Sequence, residues 1–391
     1  MRLEIRASDL KDWFQYRCER KFIYATLPRE IRDSIPVDEI NDSGIRGDEG
    51  IHFEQNVLTR LIERGESVLR PKPHSYHVSP ELTSAFLRGE HPAQFIYQAK
   101  LDETQSLRAD LHLPANVSIR TGLPDLIEWI EEGGERRLRV IDVKHTRRPT
   151  QYHRAQVAFY ALMLRGVFNS LGESNPPLHR KANIWYIGGG DQLWENERGL
   201  FDLRSYEELL RDFFRRQLPG MTSKTVERGS DPTFFHLYFK CEQCQWLQHC
   251  SKTIGDNLHP EEWDISAIPG LSHQSKSFLH RNGLRTVGSI ARASQLGDGT
   301  WTLRTRGKLL KERGEAILSN QWSRLAEHHT WLMPPKIDVP IFLVVDRDPV
   351  ANHLVSVGCL VGGIRAKPPT VEVITQANDE LPALSRVLTS L

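Results

Sequence analysis

Long hydrophobic runs are missing from this sequence of 391 residues. No apolar stretch reaches the roughly 18 residues that a membrane-spanning helix needs. The N-terminal residues MRLEIRASDLKDWFQYRCERKF are charged throughout, whereas a secretory signal peptide has an apolar central segment. The sequence therefore predicts a cytoplasmic protein with no membrane span and, at roughly 150 residues per domain, two or three domains.

An excess of either charge is also missing. Lysine and arginine number 51 and aspartate and glutamate 50, which gives a net charge of +1. A strongly basic chain would have indicated nucleic acid through its overall charge alone. Any such partner must therefore be recognised by local basic segments.

Cysteines are few and odd in number, which argues against a disulfide framework. Three of the five lie in FKCEQCQWLQHCSK with the spacing C-x2-C-x5-C, and Cys18 lies far upstream. Clustered thiols in a cytosolic chain are typical of metal ligands. Cys359 stands apart in an apolar segment and is expected to be an ordinary buried thiol.

A strand–turn–strand pattern carries the clearest chemical signal. The segments LPDLIEWI and LRVIDVKHT flank the turn EEGGER and predict a β-hairpin. The first contains Asp125 and the second contains Asp142 and Lys144, which share a face because side chains alternate along a strand. Two carboxylates and a lysine at one edge suit metal-assisted phosphodiester hydrolysis, with Mg²⁺ or Mn²⁺ held by the carboxylates.

The alternative interpretation of this hairpin is an amphipathic strand pair with solvated charges. However, the charged residues lie among Val140, Ile141 and Val143. Burying charge there is costly without a partner or a metal ion. The sequence therefore favours a site in which the lysine orients or activates water and stabilises developing charge.

These residues resemble the signature of the PD-(D/E)XK nuclease superfamily, as Pro124-Asp125 followed by Asp142-x-Lys144. In the next predicted helix, Gln156 and Tyr160 resemble the QxxxY element of the RecB-like branch. The resemblance covers roughly residues 1–255. It implies an α/β, restriction-endonuclease-like mixed sheet flanked by helices and a metal-dependent DNA (exo)nuclease.

The resemblance also implies roles for individual residues. His52 would join Asp125, Asp142 and Val143 at the metal. Glu54 could be a further acid near the metal, and solvent exposure is the favoured alternative. Gln156 would hydrogen-bond Lys144 or DNA, and Tyr160 would contact a phosphate. Without the resemblance, His52 could be an ordinary helix residue, and Gln156 and Tyr160 could simply share one helix face.

Cys18 and the three grouped cysteines are together similar to the cysteine set of 4Fe–4S nucleases in the same branch. These include AddB-type and CRISPR-adaptation exonucleases. Cys18 lies 241 − 18 = 223 residues before the group Cys241, Cys244 and Cys250. Structural zinc usually uses two short pairs, whereas this 1+3 arrangement would connect both ends of a domain. A 4Fe–4S cluster is favoured, and zinc is the alternative.

Basic residues suggest where DNA would bind. Arg147, Arg148 and Arg154 follow the second strand of the hairpin, although a solvated loop would look the same. The segment AIPGLSHQSKSFLHRNGLRTV resembles a helix-hairpin-helix, with Gly270 in its tight turn and amides available for a phosphate. An ordinary two-helix packing unit is the alternative.

Three regions are predicted along the chain. Residues 1–258 form the nuclease domain with its iron–sulfur staple, residues 259–335 a helix-hairpin-helix-like module, and residues 336–391 a short α/β segment. The last resembles the start of an RNase H-like domain, with Asp346 and Asp348 on its first strand. Too little sequence follows to complete that fold, so this piece is expected to be non-catalytic.

The predicted function is cleavage of single-stranded or end-bearing DNA in repair, recombination or anti-phage defence. No pattern suited to reading a duplex sequence stands out. One alternative is a nuclease-fold DNA-binding adaptor in a larger helicase or defence complex. Another is a zinc-stapled scaffold with no DNA function.

Overall fold

The computed structural model describes residues 2–37, 43–172, 176–187, 199–224, 226, 231–255, 258–321, 337–347 and 354–390, with only the backbone described for 43–48 and 377. Contacts between Cα atoms divide the chain into two compact units, residues 1–323 and 324–391. No helix within these described ranges is both long and apolar enough to cross a membrane.

A mixed six-stranded sheet organises the first unit. Its strand order is β2-β3-β5-β6-β7-β8, in which the β2–β3 and β6–β7 pairs are parallel and the other pairs antiparallel. A separate parallel pair joins β1 to β4. The strands of this unit are β1 (Leu3–Ile5), β2 (Val68–Leu69), β3 (Phe95–Tyr97), β4 (Val117–Ile119), β5 (Leu126–Glu132), β6 (Glu135–Lys144), β7 (Lys181–Tyr186) and β8 (Phe201–Asp202).

Helices flank the sheet. They are α1 (Ala7–Tyr16), α2 (Glu19–Thr26), α3 (Arg29–Arg32), α4 (Ser43–Glu63), α5 (Pro80–Leu87), α6 (Gln105–Leu111), α7 (Gln151–Ser170), α8 (Arg204–Asp212), α9 (Leu218–Thr222) and α10 (Leu247–Gly255). Of these, α4 and α7 contact β6. A π-helical turn, Phe213–Gln217, connects α8 and α9. The predicted mixed sheet flanked by helices is confirmed.

The predicted hairpin is the β5–β6 pair. Glu132 pairs with Glu135, so the connection consists of Gly133 and Gly134 alone. Both glycines have positive φ angles, 62° and 82°, which a two-residue turn matching the strand twist requires. This turn fixes the register, and Leu126 therefore lies opposite Ile141 at the far end.

The N-terminal segment is helical, as its periodicity predicts, but it forms two helices. Arg17 adopts a left-handed φ of 51° and ends α1, and Cys18 then caps α2. The first helix, α1, begins after Arg6. The Arg6 N–H donates to Asp9 Oδ2 at 2.7 Å. The break therefore places Cys18 in a turn.

Residues 264–319 have a hydrophobic core of their own inside the first unit. Its helices are α11 (His273–Arg281), α12 (Val287–Arg292) and α13 (Trp301–Ser319). The fully buried Lys276 donates to Asp264 Oδ1 at 2.6 Å and to Ser266 Oγ at 2.8 Å, and lies over the Phe235 ring. The helical module is thus packed onto the segment that precedes the last three clustered cysteines.

The second unit is a three-stranded antiparallel sheet in the order β11-β10-β9 with one helix. Its elements are β9 (Ile341–Arg347), β10 (Leu354–Val361), β11 (Lys367–Val373) and α14 (Glu380–Thr389). Cys359 is buried in this core, as predicted. Asp346 Oδ2 accepts from Ser356 Oγ at 2.8 Å, while Asp348 lies outside the described residues. The predicted boundary after 335 also lies outside them, and the one after 258 stays a prediction.

Candidate active site

The hairpin brings Asp125 and Asp142 together at one end of the sheet. Their proximity follows from the strand register. Asp125 precedes Leu126, Asp142 follows Ile141, and Leu126 and Ile141 lie opposite each other. Asp125 Oδ2 accepts a buried hydrogen bond of 2.7 Å from the Val143 N–H. Asp142 is only 1% exposed, and its Oδ1 accepts no hydrogen bond from any described residue. A carboxylate this deeply buried requires a nearby cation.

Lys144 supplies positive charge to this pair. Its Nζ lies 2.8 Å from Asp142 Oδ2 and 3.7 Å from Asp125 Oδ2. Burial would lower the pKa of Lys144, but the charges of Asp142 and Asp125 outweigh this effect and raise it. Burial raises the pKa of Asp142 to about 7; the Lys144 ammonium opposes this, and the charge of Asp125 adds to it. The lysine is therefore charged at neutral pH.

Glu54 is less exposed than the favoured interpretation of the sequence expects. It is half-buried, with its Oε1 accepting from Gln98 Nε2 at 3.0 Å. Burial and the charge of Asp125 raise the pKa of Glu54. It precedes the buried Val57 by three residues on α4, which places both on one helix face. The three-residue spacing from Val57 is the feature of the sequence that indicates partial burial of Glu54.

Gln156 and Tyr160 lie one turn apart on α7 and are both 8% exposed. Gln156 Nε2 donates to the Tyr160 hydroxyl at 3.3 Å, while Gln156 Oε1 has no partner among the described residues. Burial and the charges of Asp142 and Asp125 raise the pKa of Tyr160. The helix therefore directs Tyr160 toward the carboxylates, and the two residues bond to each other.

Other predicted residues lie at the margin of this arrangement. His52 is exposed on α4, two residues before Glu54. Val143 packs its side chain into a small apolar cluster between α4 and the sheet and gives its N–H to Asp125. Sequence reasoning missed His153 near the end of the hairpin; burial and the charge of Lys144 lower its pKa to about 4.

A comparison with known protein families identifies the superfamily. The family model described as the PD-(D/E)XK nuclease superfamily matches residues 37–251, which is 251 − 37 + 1 = 215 of the 391 residues. The chain belongs to the PD-(D/E)XK nuclease superfamily. No curated protein and no solved structure matches it. The matched region of this PD-(D/E)XK chain contains the whole β5–β6 hairpin and α7.

The carboxylate set of this PD-(D/E)XK chain is suited to a hard divalent cation, and such nucleases typically use Mg²⁺ or Mn²⁺. Within the described ranges, no three histidine, cysteine, aspartate or glutamate side chains are grouped closely enough to hold one ion. The cation closest to Asp142 and Asp125 is the Lys144 ammonium, among the contacts that the structure describes.

Cys18, Cys241, Cys244 and Cys250 are free thiols, and the last three affect the pKa of Cys18. The pKa of Cys18 is raised to about 12, mainly by burial and in smaller part by the charges of Cys250, Cys241 and Cys244. Burial also raises the pKa of Cys250 to about 11. The family match includes Cys241, Cys244 and Cys250 but begins after Cys18. The fold therefore brings Cys18 within electrostatic range of the other three.

Arg20 lies on α2, just after Cys18, and contacts the segment that contains Cys250. Its Nη1 lies 3.8 Å from Cys250 Sγ and donates to Thr253 Oγ1 at 2.9 Å. Its Nε is 2.9 Å from Asp231 Oδ2, and its guanidinium lies 3.9 Å from the centre of the Phe235 ring. Arg20 is 2% exposed, so these contacts fix α2 against the C-terminal end of the nuclease region.

The residues predicted to contact DNA differ in their surroundings. Arg148 is exposed and Arg147 half-buried, whereas Arg154 donates to the Tyr206 hydroxyl at 3.4 Å and lies over the Phe201 ring. Arg154 thus has a packing role within the domain. Gly270 has a φ of 80°, and a Cβ there would meet Arg313 Nη1 at 2.5 Å. The predicted tight turn at Gly270 therefore requires glycine.

Proposed function

We propose that this protein is a metal-dependent deoxyribonuclease that hydrolyses phosphodiester bonds in single-stranded or end-bearing DNA. One observation carries the proposal: the charged groups of Asp125, Asp142 and Lys144 meet within 3.7 Å in a chain of a nuclease superfamily. Removal of Lys144 would leave two carboxylates without a balancing cation in a buried site. The presence of all three residues argues against a decayed site.

Mg²⁺ or Mn²⁺ would be held by Asp142 and Asp125, with Glu54 as a further carboxylate beside them. The unpaired, buried Asp142 Oδ1 supports this donor set. His52 and Val143 remain predicted contributors. When bound, the cation polarises the phosphate and lowers the pKa of a water molecule.

Lys144 would act as a hydrogen-bond donor in this reaction. The charges of Asp142 and Asp125 raise its pKa and favour the protonated ammonium. A charged donor suits the negative charge that develops on the phosphate in the transition state. Tyr160, with its raised pKa, would remain a neutral donor toward a phosphate oxygen, and Gln156 would orient its hydroxyl.

We further propose that Cys18, Cys241, Cys244 and Cys250 hold a 4Fe–4S cluster, as in the RecB-like branch. The spacing of the four cysteines and the effect of Cys250, Cys241 and Cys244 on the pKa of Cys18 support this assignment. The cluster would have a structural role, because it would connect α2 to the end of the nuclease region. Arg148 and the Gly270 turn would contribute DNA contacts.

The cellular setting proposed for this activity is repair, recombination or anti-phage defence, with a helicase or defence protein as partner. The alternative, a DNA-binding adaptor with a nuclease fold, predicts binding without cleavage. The experiment that separates them incubates the anaerobically purified chain with end-labelled single-stranded, blunt duplex and circular DNA. Cleavage that requires Mg²⁺ or Mn²⁺ and stops in EDTA supports the nuclease. Binding without cleavage under every metal condition overturns it.

A further inference from the structure

A cavity of about 950 Å³ lies next to α4 and the end of β3. Glu54, Tyr97 and Gln98 line it. These same residues interact with Asp125 of the proposed catalytic site. The charge of Asp125 raises the pKa of both Glu54 and Tyr97. The Gln98 N–H donates to the Asp125 carbonyl at 3.2 Å. A molecule bound in this cavity would therefore extend to the carboxylate cluster.

The segment RPKPHSY, residues 70–76, forms another part of the lining and supplies positive charge. Arg70 and Lys72 form no ion pair with any residue that the structure describes. Tyr76 is 88% exposed, the largest exposed fraction among the large hydrophobic side chains described. Two prolines restrict the backbone between these residues, so they are presented with limited conformational freedom.

Backbone strain is concentrated around the same cavity. Among the described residues, five that are not glycine have positive φ angles, and two of them, His74 at 66° and Gln98 at 54°, line it. Gln98 is held there by its bond to Asp125 and by the Val78 N–H, which donates to its carbonyl at 3.1 Å. Strain of this kind persists only where surrounding structure fixes it, and it is concentrated at functional sites.

We propose that this cavity binds a single DNA strand as it approaches the carboxylates, with Tyr76 stacked on a base and Arg70 and Lys72 contacting phosphates. The inference rests on the proposed nuclease function. In a duplex the bases stack on each other inside the helix, so an exposed ring in a cleft can stack only on an unpaired base. Unpaired cations beside an aromatic ring match the alternation of phosphate and base along one strand.

The test measures binding separately from cleavage. The full chain carrying Asp142→Asn is titrated in EDTA with fluorescein-labelled oligothymidine and with a labelled blunt duplex of equal length. Tyr76→Ala is expected to weaken binding of the single strand at least about fivefold, and Tyr76→Trp to restore it. The duplex affinity should change much less. Because Tyr76 is exposed, its replacement does not remove core packing.

Salt dependence tests the cationic residues. Arg70→Gln and Lys72→Gln should each lower the slope of log Kd against log salt by about 0.7, the value for one phosphate contact on a single strand. Arg60→Gln is the matched control, because Arg60 is exposed on α4 but lies outside the cavity. Its slope should equal that of the parent protein.

Unchanged single-strand affinity in Tyr76→Ala overturns the proposal, as does an equal loss for the duplex or an equal change of slope in Arg60→Gln. Cleavage by the unmodified chain is measured in a parallel assay with Mg²⁺ or Mn²⁺. If it cleaves but Tyr76→Ala binds normally, only the strand cavity fails. If it never cleaves while Tyr76 governs binding, the proposed nuclease function fails and the strand cavity stands.

Discussion

The Asp125 carboxylate accepts a 2.7 Å hydrogen bond from the backbone N–H of Val143, the residue between Asp142 and Lys144. The bond joins the residue before β5 to the end of β6 and holds the two carboxylates at a fixed separation. Alternation along β6 places the Val143 side chain on the opposite face, where it packs among apolar residues. The charged face and the apolar face of the same strand are therefore specified together.

Lys144→Met is expected to remove most cleavage activity but to leave binding of Mn²⁺ equal or tighter. The lysine ammonium lies between the two carboxylates, so its removal leaves their charge for the cation. Calorimetric titration with Mn²⁺ measures the affinity, and Lys144→Arg serves as the variant that retains the charge. Weaker Mn²⁺ binding in Lys144→Met would contradict this role.

Glu54→Gln is expected to weaken Mn²⁺ binding about tenfold or more, because it removes a carboxylate that faces Asp125. The amide keeps the size of the side chain and can still bond to Gln98. The matched control is Glu63→Gln, an exposed carboxylate on the same helix. Equal affinities in the Glu54 and Glu63 variants would show that Glu54 takes no part in metal binding.

Cys18→Ala is expected to remove iron and sulfide and to destabilise the nuclease region. The cluster would close a loop of 241 − 18 = 223 residues, which by chain entropy stabilises on the order of 5 kcal/mol. Cys359→Ala is the control, since that thiol is buried in the second unit. Iron and sulfide analysis with urea unfolding after anaerobic purification gives both results. Stoichiometric zinc without iron would refute the cluster.

Acidification is expected to loosen the helical module through His236. This residue is 2% exposed, and burial lowers its pKa from 6.5 to about 4. Its ring bonds to the Leu271 carbonyl at 2.7 Å and to Ser266 Oγ at 3.2 Å. The unfolded chain takes up the proton first as pH falls, so stability is complete above pH 6.5 and is lost toward pH 4.

The difference in the pKa of His236 between the unfolded and folded states corresponds to a loss of about 3 kcal/mol in the free energy of unfolding by about pH 4. Urea unfolding above pH 6.5 and at about pH 4.5 measures it. His236→Gln should have a shallower dependence on pH over this interval than the unmodified chain. Identical pH dependence in the two proteins would exclude His236 as the source.

The hairpin could be predicted because its information is local. A two-residue glycine turn fixes the register, and alternation then assigns each side chain to a face, so Asp125, Asp142 and Lys144 follow from the sequence alone. The position of Glu54 could not be obtained in this way. Its burial depends on Gln98, which is 98 − 54 = 44 residues away. Gln98 has a positive φ angle, and such a backbone conformation cannot be predicted at a residue that is not glycine.

The N-terminal helices show a second limit. Apolar residues on both sides of Arg17 enter the same core, so the helical periodicity continues across the break. Nothing in the local pattern marks Arg17 as left-handed. The neighbourhood of Cys18 depends on Arg20, whose partners Asp231 and Thr253 lie more than 200 residues later. The spacing groups Cys241, Cys244 and Cys250, and only the fold brings Cys18 within electrostatic range of them.

Cleavage of end-labelled single-stranded DNA by three proteins in Mg²⁺ or Mn²⁺ tests the central claim most directly. The proteins are the unmodified chain, Asp142→Asn and Asp346→Asn, in which the last replaces an exposed carboxylate of the second unit. We expect Asp142→Asn to lose at least about a hundredfold in rate with its fold retained, and Asp346→Asn to cleave normally. Full activity in Asp142→Asn, or its loss in Asp346→Asn alone, would contradict the assignment of the active site.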